Sequence, residues 1–241
     1  MKKTIKLGWL LYLETAREKV SYLWGCIVPL GFFFIFSHQL PGGRGNIPFV
    51  SHFLSYILLS NALFSFSLNL VWRRETGFIR SFCIGRFSFS RLLMASLLGT
   101  LANSCVAVSL FLLISENFSS LQLLPGEFIA LLASSSLTYL LFCCMSLILL
   151  ALPLSFRSTQ STINGVFFIL LALMYAAVQP GMQWLELLNP LNWGSWVISM
   201  SVMPEKILDK RILLQGFELI IACLVGLYSL AYLRSTPTMM R

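Results

Sequence analysis

Residues 92–114 read LLMASLLGTLANSCVAVSLFLLI, a run of 23 residues without a charged side chain. A helix needs about 20 predominantly apolar residues to cross the hydrocarbon core of a bilayer. The run also lacks the strict alternation of polar and apolar positions that a transmembrane strand requires. This stretch therefore predicts a membrane-spanning helix.

Five other segments share these properties. The six predicted spans are 20–37, 48–72, 92–114, 128–156, 162–178 and 213–233. Charged residues form only 11% of the 241-residue chain, against about 25% in a soluble domain, so there is too little polar surface to cover a water-soluble globule. We expect an all-α integral membrane protein, with residues 1–241 forming one domain that is a six-helix transmembrane bundle.

The basic residues are unevenly divided between the two sides of this bundle. If the N-terminus is cytoplasmic, 13 of the 17 lysines and arginines fall in inner segments. The four in the outer loops are Arg44, Lys206, Lys210 and Arg211. An excess of Lys and Arg marks cytoplasmic loops. The bias therefore predicts that both termini are cytoplasmic, and it accounts for the net charge of +8 without a nucleic-acid partner.

The N-terminal segment 1–19 has the pattern of an amphipathic helix. Its apolar side chains recur at helical spacing, at Ile5, Trp9, Leu13, Ala16 and Val20. Its charged side chains lie elsewhere on the helical wheel, at Lys3, Lys6, Glu14 and Arg17. We expect a helix that lies in the inner membrane interface. The alternative is a plain cytoplasmic extension of the first span.

The longest outer segment, 179–212, is too apolar for a solvated loop. Its centre reads Asn189-Pro190-Leu191-Asn192-Trp193. Two short helices that dip into the outer leaflet would satisfy the backbone groups, and Pro190 favours the first position of the second helix. We therefore predict an outer re-entrant region before the last span.

The inner segment 73–91 reads RRETGFIRSFCIGRFSFSR. Its apolar side chains, among them Phe78, Ile79 and Phe82, alternate with arginines. Two interpretations stay open. A short helix in this segment could offer aromatic side chains to a cytoplasmic partner, or it could lie in the interface, held by anionic lipid headgroups.

No arrangement of residues in the sequence indicates catalysis. The chain lacks both G-x-x-x-x-G-K-[ST] and H-E-x-x-H, which hold nucleotide phosphates and zinc respectively. His38 and His52 have no carboxylate at ligand spacing, and the six cysteines show no metal spacing. We expect a chain that is not an enzyme and that holds no metal.

A few polar residues lie within the predicted spans. They are Asn61, Asn69, Asn103, Asn164 and Glu218. The asparagines suit either hydrogen bonding between helices or a substrate path. Glu218 is a functional candidate because acids are rare inside membranes, although it could also pair with Lys210 or Arg211.

With these motifs in this order, the chain resembles the permease subunit of type-2 ABC transporters over nearly its whole length. Glu75-Thr76-Gly77, followed by 78–84, looks like the Glu-x-Gly element and coupling helix that follow the second span in that family. Asn189-Pro190-Leu191 matches the Asn-Pro-Leu motif of the family's outer re-entrant region. The Pro-x-Ser often found after the coupling helix is absent, and Arg86-Phe87-Ser88 stands near its place.

The resemblance implies an ATP-driven exporter in the bacterial cytoplasmic membrane. This chain would form the substrate path, pair with a second permease, either a copy of itself or a sister permease, and dock a pair of ABC ATPase subunits. Those subunits would bind ATP and Mg²⁺, so this chain itself would need no cofactor. The ATPase-coupling residues would be Arg73, Arg74, Glu75, Gly77, Phe78, Ile79 and Phe82. The outer motif would comprise Asn189, Pro190, Leu191 and Trp193.

The sequence also bears on the substrate class. The outer segments are small and no carbohydrate-binding extension follows Arg241, which favours a bacteriocin-like peptide or an amphipathic small molecule over a long glycan. Two other functions share this topology, a membrane-embedded enzyme and an ion-coupled carrier or channel. Clustered His, Asp or Glu would favour the enzyme, and inverted repeats with broken helices would favour the carrier.

Overall fold

The computed structural model describes residues 2–17, 25, 27–37, 47–79, 81, 89–118, 123–177, 184–203, 220, 221, 223–226 and 228. Throughout these residues the regular structure is helical. The helices are α1 (Lys2–Ala16), α2 (Val28–Ser37), α3 (Ile47–Ser60), a π-helical segment (Asn61–Leu68), α4 (Asn69–Glu75), α5 (Phe89–Phe118), α6 (Pro125–Ser146), α7 (Ile148–Ala151), α8 (Phe156–Ala177), α9 (Leu185–Leu188) and α10 (Pro190–Met200).

Three continuous helical stretches in the described part of the chain are long and apolar enough to cross a membrane. They are Ile47–Glu75, Phe89–Asn117 and Pro125–Ala151, and they correspond to the second, third and fourth predicted spans. An all-helical fold with three helices fit to span a membrane is therefore confirmed for the described residues. The count of six spans stays a prediction, because much of spans 20–37 and 213–233 lies outside the described residues and α8, over the predicted span 162–178, is not among these three stretches.

The fourth predicted span, 128–156, is too long at its C-terminal end. The long helix α6 ends at Ser146, one short turn follows in α7, and the chain is then non-helical until α8 begins at Phe156. Leu152 has extended backbone angles, φ −72° and ψ 136°. It precedes Pro153, whose ring disfavours the helical conformation in the residue before it. This proline therefore separates α7 from α8, the helix that covers the fifth predicted span.

The second span is the centre of the fold. About nine-tenths of its apolar window, 89%, is buried inside the chain, compared with 44% and 33% for the two spans that follow it. The π-helical segment interrupts this span, and the sequence analysis did not predict it. Segments of this kind are rare and are often found at functional sites.

Helix α1 is present as predicted and packs closely on α5. A Cβ atom on Gly99 would lie 2.8 Å from the Gly8 carbonyl oxygen and 3.0 Å from the Tyr12 amide nitrogen. Ala95 and Gly99, four residues apart on α5, form the kind of small-residue surface that lets membrane helices approach one another. The predicted apolar side chains Ile5 and Trp9 point away from this contact and are exposed. That they lie in the membrane interface stays a prediction.

The described helices have an inner end and an outer end. The inner end contains the C-terminus of α4, the N-terminus of α5, and the turn between α7 and α8. The outer end contains the N-terminus of α3 and helices α9 and α10. From the charge bias we expect the inner end to face the cytoplasm, and this orientation stays a prediction.

Candidate functional site

The candidate site is the inner end of the second span, where α4 finishes with the sequence Arg73-Arg74-Glu75. The helix ends at Glu75 and is capped by Thr76. Gly77 follows with a φ of +72°, in the left-handed region where glycine is favoured because it has no Cβ atom. The turn therefore ends α4 directly after Arg73-Arg74-Glu75, and the rest of segment 73–91 follows it.

Arg73 joins this site to α1. Its side chain forms an ion pair with Glu14, with 2.5 Å between Nη2 and Oε2, and its guanidinium carbon lies 5.3 Å from the centre of the Phe78 ring. Only 5% of Arg73 is exposed. The Glu14 side chain is 44% exposed, so the pair lies at the edge of the interior. Loss of Glu14 would leave the buried guanidinium group of Arg73 without its charged partner.

Arg74 joins the site to the turn between α7 and α8. Its Nη1 atom donates to the carbonyl oxygens of Leu150 and Leu152, at 2.7 and 2.9 Å, and its Nη2 atom donates to the carbonyl oxygen of Leu154. Carbonyl groups at the end of a helix lack partners within that helix. The planar, forked guanidinium group satisfies three of them at once.

Glu75 joins the site to α8. One of its carboxylate oxygens accepts a 2.7 Å hydrogen bond from the backbone amide of Phe156, the first residue of that helix. The first amide groups of a helix have no partner within it, and a negative charge there also interacts favourably with the helix dipole. Three consecutive side chains thus hold three other parts of the chain.

Beyond these residues, the predicted coupling segment is partly exposed. Phe78 is 41% exposed, and Ser81 is exposed as well. Ile79 is half-buried against the cluster of Leu11, Leu92 and Ala95. Phe82 lies outside the described residues.

The sequence predicts that Arg73, Arg74 and Glu75 bind a partner, and it does not reveal their bonds within this chain. Glu14 in the N-terminal helix was the available signal for one of them, because it is an acid close to the inner arginines. The backbone carbonyl and amide partners of Arg74 and Glu75 could not be recognised in the sequence, because nearly every residue type has these groups.

The outer motif also has a defined structure. The Asn189 side chain accepts from the Leu191 amide at 3.1 Å, as expected for the residue that caps α10, and it donates to the Leu170 carbonyl oxygen at 3.0 Å. The two short helices predicted here are present as α9 and α10, and Pro190 is confirmed as the first residue of the second. Trp193 is half-buried. That these helices re-enter a membrane stays a prediction.

The outer motif packs against the same central span. The Ser55 hydroxyl on α3 donates to the Leu191 carbonyl oxygen at 2.7 Å. A Cβ atom on Gly194 would lie 2.3 Å from the Ser55 hydroxyl oxygen and 2.6 Å from the Phe142 ring. The central span therefore contacts the outer motif near one end and the three inner elements at the other.

The polar residues predicted inside the spans have several different environments. Asn61 is 2% exposed, and its amide nitrogen has no hydrogen-bond partner in the part of the chain that the structure describes. Asn69 donates to the Ser65 carbonyl oxygen within its own helix at 3.1 Å. Asn103 is buried and Asn164 is half-buried, and Glu218 lies outside the described residues. Asn61 is thus the one among the described asparagines in this set that combines burial with an unsatisfied donor.

The sequence predicts no metal-binding role for the histidines and cysteines. His52 places its Nδ1 atom 2.7 Å from the Pro48 carbonyl oxygen, within its own helix. Across the described ranges, no three His, Cys, Asp or Glu side chains come together as a metal site would require. His38 lies outside these ranges.

No protein-family model matches the chain. Among curated proteins, Protein McbE of Escherichia coli is 27% identical over 210 residues, which cover 81% of this chain and 84% of McbE. This chain is therefore similar to McbE, as a distant relative, over most of both sequences. The similarity and the three span-length helices together fit a membrane protein.

Proposed function

We propose that this chain is the permease subunit of an ATP-driven ABC exporter, which forms the substrate path and docks a separate pair of ATPase subunits. The observation that carries the proposal is the cluster at Arg73, Arg74 and Glu75. These residues begin the segment that resembles the family's coupling element, and they bind α1, the turn after α7, and α8.

The cluster suits a mechanical role. A force applied to the part of this segment beyond Gly77 would reach Arg73–Glu75 first, because these residues directly precede that part. Charge-assisted hydrogen bonds such as these are stronger than neutral ones, so the attached helices would move with α4 rather than slip past it. The partner ATPases would bind ATP and Mg²⁺ and supply the energy.

The central span would carry this movement to the outer side. It reaches from Glu75 to Ser55, which is hydrogen-bonded to Leu191 of the outer motif. Movement at the inner end would thus be transmitted to the Asn189-Pro190-Leu191 turn, where we propose that substrate leaves. Two permease chains would pair to enclose the path.

We further propose that the substrate is a bacteriocin-like peptide or an amphipathic small molecule. The support is the small size of the outer segments in the sequence. ATPase stimulation measured across candidate peptides and lipids in nanodiscs would identify the class, and a substrate of this kind should raise the hydrolysis rate in a saturable manner.

Docking can be tested by affinity purification from the native membrane. We expect the chain to retain an ATPase encoded by a neighbouring reading frame, and Phe78→Asp to lose it, because a charge would replace an exposed aromatic side chain at the start of the coupling segment. Ser158→Asp is the matched control. It adds the same charge at an exposed inner position in the first turn of α8, where an acid is tolerated.

Both variants should elute as folded protein, and their thermal unfolding midpoints show how much of any loss comes from removing the contact between Arg73 and Phe78. Retention of the ATPase by Phe78→Asp, or equal loss in both variants, would contradict the proposed docking segment.

A further inference from the structure

Helix α1 has an exposed surface that is apolar on one side and basic on the adjacent side. The apolar side consists of Ile5, Trp9 and Leu13, which are 58%, 61% and 38% exposed. The basic side consists of Lys6 and Arg17, which are also exposed. Leu10, which is 61% exposed, lies on the far side of these basic residues, and the face that includes Gly8 and Leu11 packs on α5. A helix at the boundary between hydrocarbon and water shows this arrangement, with apolar residues towards the lipid and basic residues towards the headgroups.

The net charge of this surface is positive. Glu14 is the acidic residue within Lys2–Ala16, and its carboxylate is paired with Arg73. The ion pair thus neutralises the acid and leaves Lys6 and Arg17 to set the sign of the exposed face. A positive face beside an apolar one is complementary to a membrane leaflet that contains anionic lipid.

The Trp9 ring is held in a defined position. Tyr12 stacks on it with 5.3 Å between the ring centres. Tryptophan is enriched at the level of the lipid headgroups because its ring is apolar and its N–H group is polar. The ring therefore marks the depth at which a headgroup would meet the helix.

We propose that this face of α1 binds anionic phospholipid in the inner leaflet, with Lys6 and Arg17 contacting headgroup phosphates on either side of Trp9. The two basic residues are 11 positions apart, a rise of about 16 Å along the helix, so each would meet a different lipid molecule. The proposal does not depend on an ATPase partner.

The contact would also steady the candidate site. Arg17 follows Glu14 by three residues, and its backbone amide donates to the Glu14 carbonyl oxygen at 3.1 Å. A headgroup bound to Arg17 would therefore fix the end of α1 that holds Arg73. The lipid composition of the inner leaflet would then influence how firmly the start of the coupling segment is held.

The test uses the full chain in bilayers that contain brominated phosphatidylglycerol or brominated phosphatidylcholine, since bromine quenches tryptophan fluorescence on contact. The part of the quenching that disappears in Trp9→Phe is the Trp9 signal. We expect phosphatidylglycerol to be favoured at Trp9, and Lys6→Gln and Arg17→Gln each to reduce that preference by about fivefold. Arg157→Gln, an exposed inner cation on α8, is the matched control and should leave the preference unchanged.

Three results would overturn the proposal. Absence of a Trp9 signal with either lipid would show that Trp9 does not contact lipid. Equal quenching by both lipids in the natural chain would show that α1 does not recognise the charge of the headgroup. An equal reduction by Arg157→Gln would show a general effect of surface charge rather than binding at α1.

Discussion

At the scale of single residues, charged side chains at the inner end form hydrogen bonds with this chain's own backbone and an ion pair with one another. Arg73 is nearly inaccessible to solvent and has Glu14 as its acidic partner. The sequence indicated that this position matters, but it suggested a contact with another protein. Burial of Arg73 could not be predicted, because it arises from the packing of α1 beside α4 and α5.

The pair gives a prediction about stability. Glu14→Gln should lower the free energy of unfolding by about 1–3 kcal/mol, because it leaves the buried guanidinium of Arg73 without its charged partner. Glu14→Gln combined with Arg73→Met should cost less than the sum of the two single changes. Thermal or denaturant unfolding in detergent measures this coupling, and Glu116→Gln on the exposed part of α5 is the control. Strict additivity would show that the two residues do not interact.

Two glycines provide a second comparison at this scale. Gly99→Ala should destabilise the protein by about 1–3 kcal/mol, the usual range for overpacking, because its Cβ atom would meet backbone atoms of α1. Gly165→Ala adds the same methyl group where nothing lies within 4 Å, and it should be neutral or stabilising by up to about 1 kcal/mol. The thermal unfolding midpoints of the two variants measure this difference. Equal effects would contradict the close packing of α1 on α5.

At the scale of elements, the sequence predicted the helices from runs of apolar residues and missed the interruptions within them. The runs at 48–72 and 92–114 were predictable because a long run of apolar residues favours a helix that can cross a membrane. The π-helical segment and the break at 152–155 depend on local backbone choices, and the break could have been predicted from Pro153. The α9 and α10 pair was predictable because proline strongly favours the first turn of a helix.

The turn after α7 gives a prediction for Arg74. Arg74→Lys keeps the charge but loses the planar fork, so it cannot satisfy all three carbonyl groups. Backbone amides across 148–156 should exchange with solvent deuterium about tenfold faster, which corresponds to about 1.4 kcal/mol of lost local stability. Arg157→Lys, in which an exposed arginine is changed, is the control. Unchanged exchange in Arg74→Lys would show that Arg74 does not hold the turn.

At the scale of the whole molecule, composition predicted residence in a membrane, and the three span-length helices agree with it. The path of the chain across the membrane rests on the charge bias. No property of a single helix determines it, because orientation is set by where the basic residues lie relative to all of the spans together. The candidate site was found only in part for a similar reason, since its bonds join α1, α4 and the 150–156 region, which are distant in sequence.

Reporter fusions test this topology directly. Fusions after Arg44, Ser120 and Leu208 should report an exterior location, whereas fusions after Arg80, Arg157 and Arg241 should report the cytoplasm. Six spans with both termini inside require this alternation. A fusion after Arg241 that is active outside would mean an odd number of spans and would contradict the predicted bundle.

The central claim is that this chain couples ATP hydrolysis on another subunit to movement in the membrane. The most direct measurement is the ATP hydrolysis rate of the neighbouring ATPase in proteoliposomes, with and without this chain. The natural chain and Ser158→Asp should raise the rate, whereas Phe78→Asp should not. A rate that is unaffected by the natural chain, from an ATPase that does not bind it, would contradict a role as a coupled permease.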